Sequence, residues 1–536
     1  MNVLDCITNP GTTMTTGNHD CTSGLLRLSN ELLRDIFDHI ESDPDKLVTL
    51  DRRNYLSQES FKPPPLPAPN QAQDIGNLRL TCKRFSELGA IHQFSRVTTR
   101  FSKKGFLRLQ NIGSSPHLAK NVKKFSYMVP YFYVEGRERV QQILPALQAS
   151  LGTVDVRQIV KKINEQKEIV ASREDERVLT NALAAFTSLQ HTQLLRVLDS
   201  ETAALQAYIR QHEDVNQLVE LNWTPACSHS AKTLGAALLA ARSPCTRFSS
   251  PMLSPQSAMI LATHPPKTTR ALAERLTCLE LHFDDGQDLD IKMRELSSLF
   301  KVIFTSAKNM QAVHIGFPSH RPLSLRLEEL FHNVRFDKLL AFGIQAWRLD
   351  ADEIIALARR HRDRLKGLRL RDVLLKDGSM WKDVLAFLRE EMFRLDWVSL
   401  RRIGYAKQFD EQWAAAGAEV PDDPPGGASE SDDESDWDPH ANADQDDGSL
   451  DSLGDDSSIE SDNEHSDDDN GPEEEGMDFP MISPDTPSSV PWCNCGRNAF
   501  PESPEALNDN GMFVSNPQRK IWEKWVVRRC PEHSDR

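Results

Sequence analysis

The chain has 536 residues, of which 39% are hydrophobic and 26% charged, and a formal net charge of −16. Of its 79 Asp and Glu, 24 lie between residues 421 and 480, where there is no Lys or Arg, so the rest of the chain carries 55 against 63 Lys and Arg. The length suits roughly two to four domains, and no apolar run, Leu234–Ala241 included, approaches the ~20 residues of a membrane span.

The first 20 residues lack a basic stretch and an apolar run, so no secretory signal is expected. The 9 cysteines are odd in number and scattered, which suits reduced thiols better than a disulfide framework. The expectation is an intracellular protein, cytoplasmic or nuclear, with no membrane partner.

In chain order, residues 1–24 read as a mobile leader rich in Thr, Asn and Gly. Leu28, Leu32, Leu33, Ile36, Phe37 and Ile40 then fall on one stripe of a helix. Ser29 suits the N-cap, and Glu31 places negative charge in the first turn. A polar insertion, 41–74, follows; Pro63, Pro64, Pro65, Pro67 and Pro69 are expected to keep it irregular. A second amphipathic segment runs from Ile75 to Leu88, with apolar positions extending to Phe94 and Val97.

The two segments read Leu-x-x-Glu-Leu-Leu-x-x-Ile-Phe (28–37) and Leu-x-Leu-Thr-Cys-Lys-Arg-Phe (78–85). In that order they resemble the F-box of large fungal proteins. The resemblance implies a three-helix module, within residues 25–99, that docks on the Skp-type adaptor of cullin-RING ubiquitin ligases. It implies adaptor contacts by Leu28, Glu31, Leu32, Leu33, Ile36, Phe37, Ile40, Leu78, Leu80, Cys82, Lys83, Phe85 and Leu88. Leu32, Ile36, Leu80 and Phe85 are the expected anchors. The physics agrees: a unit of about 70 residues with few apolar positions buries little surface by itself. A helix stripe left uncovered invites a partner in the helix-in-groove manner. The alternative is that both segments pack on the domain that follows.

Beyond residue 100, apolar-x-apolar pairs recur at Phe125/Tyr127, Leu195/Val197, Val219/Leu221, Leu279/Leu281, Val313/Ile315, Phe342/Ile344, Leu368/Leu370 and Val398/Leu400. Helical stripes fill the gaps. One takes in Leu289, Met293, Leu296, Phe300 and Ile303; another begins at a capping box of Asp350 and Glu353. A third is Trp381, Val384, Leu385, Leu388, Met392 and Leu395, with Ser379 as its expected cap. One strand and one helix repeated every ~30 residues predicts an irregular leucine-rich-repeat-like α/β solenoid over 100–410. An ordinary α/β or mainly helical domain is the alternative. Phrases such as Leu365–Arg371 and Leu400–Tyr405 are similar to the substrate-side region of the same fungal F-box proteins, so the resemblance covers Leu25 to Tyr405.

The fold class expected is therefore α/β (α+β): a helical F-box, a solenoid, and an acidic tail over 411–490 whose composition predicts disorder. Seven tail serines, Ser429, Ser431, Ser435, Ser452, Ser457, Ser461 and Ser466, have Asp or Glu three residues on, which suits acidophilic kinases. Residues 491–536 regain Trp492, Phe513, Trp522, Trp525, Val526 and Val527 and predict a short ordered element.

Catalytic signatures are missing: there is no Gly-rich phosphate loop, nucleophile elbow or His-Glu-x-x-His. The expectation is a non-enzymatic chain without a cofactor. The one candidate metal set is Cys493, Cys495, Cys530 and His533, which could close a tetrahedral zinc site; plain reduced side chains are the alternative. Arg359, Arg360, Arg362, Arg364, Lys366, Arg369 and Arg371 cluster as a nucleic-acid patch would, yet no aromatics interleave them. A solvated face, or one that attracts the acidic tail, fits better.

The expected role is the substrate-recruiting subunit of a Skp–cullin–F-box ubiquitin ligase, tethering a protein substrate of unread identity through the adaptor to the cullin. A non-catalytic scaffold, or a nuclear acidic-tailed repeat protein acting outside the ligase, is the second reading. A nucleic-acid-binding factor is the third.

Overall fold

The computed structural model describes residues 24–40, 69–132, 140, 142–146, 156–197, 200–212, 215, 223–259, 266–284, 288–415 and 503–528. The leader, most of the Pro-rich insertion, the Val219/Leu221 pair, the acidic stretch with its serines, and the set Cys493, Cys495, Cys530 and His533 lie outside the described residues. No helix among the described residues is long and apolar enough to cross a membrane.

Two compact units divide the chain, the smaller ending at Gln93 and the larger continuing from Phe94. The smaller is helical: a 3-10 turn at Gly24–Arg27, then α1 (Asn30–Ile40), α2 (Pro69–Thr81) and α3 (Lys83–Phe94). The insertion expected over 41–74 is thus shorter at its end, because Pro69 opens α2. At a first helical position the missing N–H costs nothing and the fixed φ suits the helix. The segment expected from Ile75 to Leu88 is two helices, parted at Cys82. The Thr81 hydroxyl donates to the Leu78 carbonyl at 2.7 Å, and the Cys82 sulfur accepts from the Phe85 N–H at 3.5 Å. Cys82 therefore serves α3 as a weak sulfur cap.

The larger unit is α/β. Its elements are β1 (Arg96–Arg100), α4 (Lys103–Gly113), α5 (Pro116–Ala119), β2 (Lys124–Val129), α6 (Val156–Ser172), α7 (Glu174–Ala185), β3 (His191–Arg196), α8 (Ser200–Gln211), α9 (Trp223–Ala240), β4 (Arg247–Leu253), α10 (Pro255–Met259) and α11 (Pro266–Ala273). There follow β5 (Cys278–Phe283), α12 (Leu289–Ser306), β6 (Ala312–Gly316), α13 (Leu327–Phe331), β7 (Ala341–Leu349), α14 (Ala351–Arg360), β8 (Gly367–Leu375), α15 (Trp381–Glu391), β9 (Trp397–Arg401), β10 (Gly404–Tyr405), α16 (Ala406–Ala415) and α17 (Asn516–Val526).

All ten strands among the described residues join one sheet. From β1 to β8 each strand lies beside the one before it and the one after it, and every pairing is parallel. β9 and β10 share the far edge of β8, pairing with Gly367–Arg371 and Leu374–Leu375 respectively. Parallel neighbours need a crossover between them, which is what the intervening helices supply.

The strands at β2, β3 and β5 to β9 stand on the apolar pairs read in the sequence. β1 and β4 do not. Arg96-Val-Thr-Thr-Arg and Arg247-Phe-Ser-Ser-Pro-Met-Leu are too polar to announce themselves, and Pro251 argues against a central strand. The register of β4 shifts between Ser250 and Leu253, around Pro251. The strip Arg96–Arg100, placed in the helical module by sequence, is the first strand of the sheet.

The two faces of the sheet differ. One register row runs Val97, Phe125, Thr192, Phe248, Leu279, Val313, Phe342, Leu368 and Val398. Most of it packs with helix residues such as Phe106, Leu296, Phe300, Leu357, Trp381 and Leu385 in the main core. Side chains alternate along a strand, so the adjacent row points the other way: Thr98, Ser126, Gln193, Ser249, Glu280, His314, Gly343, Arg369 and Ser399. Parallel sheets covered by helices on both faces have apolar strands throughout. This sheet instead has one apolar and one polar face.

The pleat breaks in step on β7, on β8 and in the link between β9 and β10. Ala346, Asp372 and Arg402 each have a left-handed backbone (φ 53°, 49° and 48°). They lie between Gln345↔Arg371 and Trp347↔Val373 on one side, and between Arg371↔Arg401 and Leu374↔Gly404 on the other. A left-handed non-glycine residue costs roughly 1–2 kcal/mol, and the Asp372–Arg402 contact described below offsets part of it.

Helix ends follow local chemistry. Asp350 and Glu353 form the expected capping box, the Glu353 carboxylate accepting from the Asp350 N–H at 3.0 Å. The cap expected of Ser379 on α15 is not formed. Its hydroxyl accepts from Ala351 N at 3.0 Å, serving α14 instead, and Met380 occupies the N-cap of α15. That helix is capped from far along the chain: the Lys382 N–H donates to Asp509 Oδ2 at 2.8 Å, and the Tyr405 hydroxyl donates to Asp509 Oδ1 at 2.5 Å. Burial, then the Asp509 carboxylate, pushes the Tyr405 hydroxyl well above the ordinary tyrosine value.

Residues 503–528 close the sheet's last edge. Trp522 and Trp525 of α17 are buried in the main core, and the Trp522 indole donates to the Leu507 carbonyl at 3.0 Å. The Leu400 N–H on β9 donates to the Glu523 carboxylate, which also pairs with Arg519 at 3.3 Å. An edge amide that would otherwise invite another strand is thereby occupied.

Candidate docking surface

The small helical unit has a core of Leu33, Phe37, Ile75, Phe85 and Leu88. Phe37 meets Phe85 edge-to-face at 6.3 Å and stacks on His92 at 5.5 Å, while His92 Nδ1 lies 3.6 Å from Asp38 Oδ1. Arg84 fastens α3 to the start of α1. Its guanidinium donates to Asn30 Oδ1 (2.9 Å), the Leu26 carbonyl (2.8 Å) and the Leu28 carbonyl (2.7 Å). Arg79 of α2 donates to the Ser86 carbonyl of α3 at 3.1 Å.

At the start of α1, Ser29 caps as expected, its carbonyl accepting from Leu33 N (3.1 Å) and its hydroxyl from Leu32 N (3.4 Å). Glu31 is exposed, and its own backbone N–H followed by the Ser29 hydroxyl lower its carboxyl below the usual glutamate value.

This core sorts the sequence-named residues into two sets. Leu33, Phe37, Phe85 and Leu88 face inward, with Leu33 and Phe85 only 2% and 6% exposed. Leu28, Ile36, Ile40, Leu78 and Cys82 are partly buried against that core. Leu32 is 51% and Leu80 80% exposed, and Glu31 and Lys83 are exposed polar neighbours in sequence. Leu32 and Ile36 lie one helical turn apart, so they share a face of α1. Phe85, expected as an anchor, is a core residue whose ring supports the helices from within.

Sequence reading missed two groups here. Leu25 and Leu26, 46% and 37% exposed in the 3-10 turn, add apolar surface ahead of α1; their only sequence signal is a pair of leucines at the end of a polar leader. The threefold clasp of Arg84 had no sequence signal, because its partners lie more than fifty positions away.

The basic run 359–371 divides in the fold. Arg359 reaches Glu391 at 3.3 Å and lies 4.7 Å over the Phe387 ring. Arg360 donates to Asn333, and Arg362 lies 3.8 Å from Asp363. Arg369 and Arg371 instead lie on β8, in the polar rows of the sheet. The run is thus shared between the end of α14 with the turn after it and β8.

Little among the described residues suits a metal or a nucleophile. No group of three or more His, Cys, Asp or Glu could hold an ion there. Burial pushes the Cys227 thiol up to about 12 and raises that of Cys245, so neither is a thiolate near neutrality.

No family model matches the chain, and no curated protein matches it.

Proposed function

We propose that this chain is the substrate-recruiting subunit of a Skp–cullin–F-box ubiquitin ligase, with residues 25–94 as the F-box and the sheet-bearing unit as a leucine-rich-repeat-like solenoid that holds the substrate. The observation that carries the reading is the contrast between Leu33 and Phe85, sealed inside the helical unit, and Leu32 and Leu80, left 51% and 80% exposed. Exposed leucines standing beside a completed small core are what a helix-docking partner covers. Strands in chain order, each paired with its sequence neighbours, support the solenoid reading, since such arrays grow by adding one unit to the last. The chain then acts by tethering: the adaptor end fixes it to the cullin, and the substrate's lysines are held at high local concentration near a conjugating enzyme.

The test is affinity purification of the full chain against a Leu32→Ala, Leu80→Ala double variant of matched thermal stability. Wild type should bring down an adaptor of the Skp type together with a cullin, and the variant should lose both while keeping substrates. Recovery of adaptor and cullin unchanged with the variant, or their absence from wild type, overturns the assignment.

A further inference from the structure

Where α9, α10, α11 and α12 meet over β4 and β5, the main core leaves a pocket of about 100 Å3. Its walls include Leu281 and Phe283 from the sheet and Leu296 and Phe300 from α12. Small residues, Gly235, Ala258 and Ala273, stand where α9, α10 and α11 close over it. Apart from Thr269 and Cys245, the side chains that line it among the described residues are hydrocarbon. The Cys245 thiol is already spent on the Arg247 carbonyl at 3.0 Å. Protein interiors rarely leave such space unfilled, and an apolar cavity of about 150 Å3 stays dry and takes a hydrocarbon guest.

The pocket adjoins a second space. An open cleft of about 330 Å3 shares Leu238, Leu239 and Leu272 with it and adds Arg242, Lys267 and Arg275. All three cations are exposed, and none of them forms an ion pair among the described residues. The turn that carries Arg242 is fixed. Arg242 is left-handed (φ 49°), and the N–H groups of Arg242 and Ser243 return to the Leu239 and Leu238 carbonyls at 3.2 and 3.1 Å. Arg275 Nη1 then donates to the Arg242 and Ser243 carbonyls at 3.2 and 2.6 Å. Those bonds tie two of the cations to one turn and occupy carbonyls that would otherwise repel an anion.

A hydrocarbon pocket with three cations beside it is complementary to a molecule with an apolar tail and an anionic head. We propose that this site binds a single-chain anionic amphiphile, a fatty acid or an alkyl phosphate. Its head lies among Arg242, Lys267 and Arg275, and its tail passes Leu238, Leu239 and Leu272 into the pocket. The combined space suits one chain, not the two of a membrane lipid. The tail supplies affinity by leaving water, and the head selects by charge. The inference does not depend on the adaptor reading.

The test is calorimetric titration of the full chain with octanoate, octyl phosphate, octanol and acetate, each below its micellar or solubility limit. Octanoate or octyl phosphate should bind once per chain, octanol at least about tenfold more weakly, and acetate not measurably. The ratio of the two acids tells a fatty acid from a phosphate head. In an Arg242→Gln, Lys267→Gln double variant, changed only at exposed positions, the acids should fall to the affinity of octanol while octanol is unaffected. Ala273→Leu, which puts a side chain into the pocket, should weaken acids and octanol alike by about tenfold or more. The thermal transition of each unliganded variant checks that it is folded. Acids that bind no tighter than octanol, or that bind the double variant as well as wild type, overturn the proposal. So does a folded Ala273→Leu variant of undiminished affinity. Should Ala273→Leu fail to fold, the double variant decides alone.

Discussion

Asp372 on β8 and Arg402 in the link between β9 and β10, both left-handed, join through a two-pronged ion pair: Oδ1 to Nε at 2.6 Å and Oδ2 to Nη2 at 3.0 Å. The Ser319 hydroxyl adds a third contact, donating to Asp372 Oδ2 at 3.0 Å. The pair couples the last turns of the sheet where its strands leave the regular pleat. Asp372→Ala removes the carboxylate and leaves Arg402, about half exposed, to water. The expected loss is about 1–2 kcal/mol, read by denaturant unfolding, with faster amide exchange confined to β8 through β10. A variant as stable as wild type would show that the pair contributes nothing.

The Asp509 carboxylate accepts from both the first turn of α15 and the Tyr405 hydroxyl. Asp509→Ala should cost about 1–2 kcal/mol, the range of a lost helix cap. Because the lost contacts join residues 503–528 to the sheet, limited proteolysis should cut that element faster while sites in β1 to β6 are unaffected. An unchanged digestion pattern would count against the contact.

In the helical unit, exposure predicts opposite phenotypes for chemically similar changes. Phe37→Ala empties a core position and should destabilise the unit by about 3–5 kcal/mol. Leu80→Ala, at an 80% exposed site, should shift stability by no more than about 0.5 kcal/mol yet abolish recovery of the adaptor. Hydrogen exchange in α1 to α3 separates the two effects from one another.

His361 gives the larger unit an acid-sensitive point. Its Nε2 accepts from the Phe336 N–H at 3.1 Å while Nδ1 meets the Leu357 carbonyl at 3.0 Å, an arrangement that requires the neutral ring with its proton on Nδ1. Burial lowers its value from 6.5 to about 4. The unfolded chain therefore binds the proton more readily than the folded one. The stabilisation is complete above about pH 6.5 and declines as pH falls toward 4, by about 3 kcal/mol in all. A His361→Leu variant should be less stable at pH 7 and should show a shallower stability slope across that window. A slope identical to wild type would locate the acid sensitivity elsewhere.

Sequence patterning revealed what depends on neighbours in the chain. Apolar alternation located β5 to β9, and 3.6-residue spacing located α12, α14 and α15, because one side of each element meets the main core. Other features are set by distant partners. β4 stayed hidden since Ser249, Ser250 and Pro251 are tolerated only between strands that already fix its path. Ser379 was read as a cap for the helix it precedes, but the preceding helix comes close enough to take its hydroxyl first. In the helical unit the Leu-x-x-Glu-Leu-Leu motif marked the right segment without distinguishing Leu32 from Leu33. Only the packing of α2 and α3 against α1 decides which of two adjacent leucines turns inward.

The Glu523 contact to the Leu400 amide has a bearing on synthesis. While the ribosome is still translating residues 416–502, β9 has been made but the residue that shields its rim has not. The nascent protein passes through an interval in which β9 is open to pairing with a stranger. Shortening the protein before residue 503 would make that interval permanent, and the product should self-associate strand to strand.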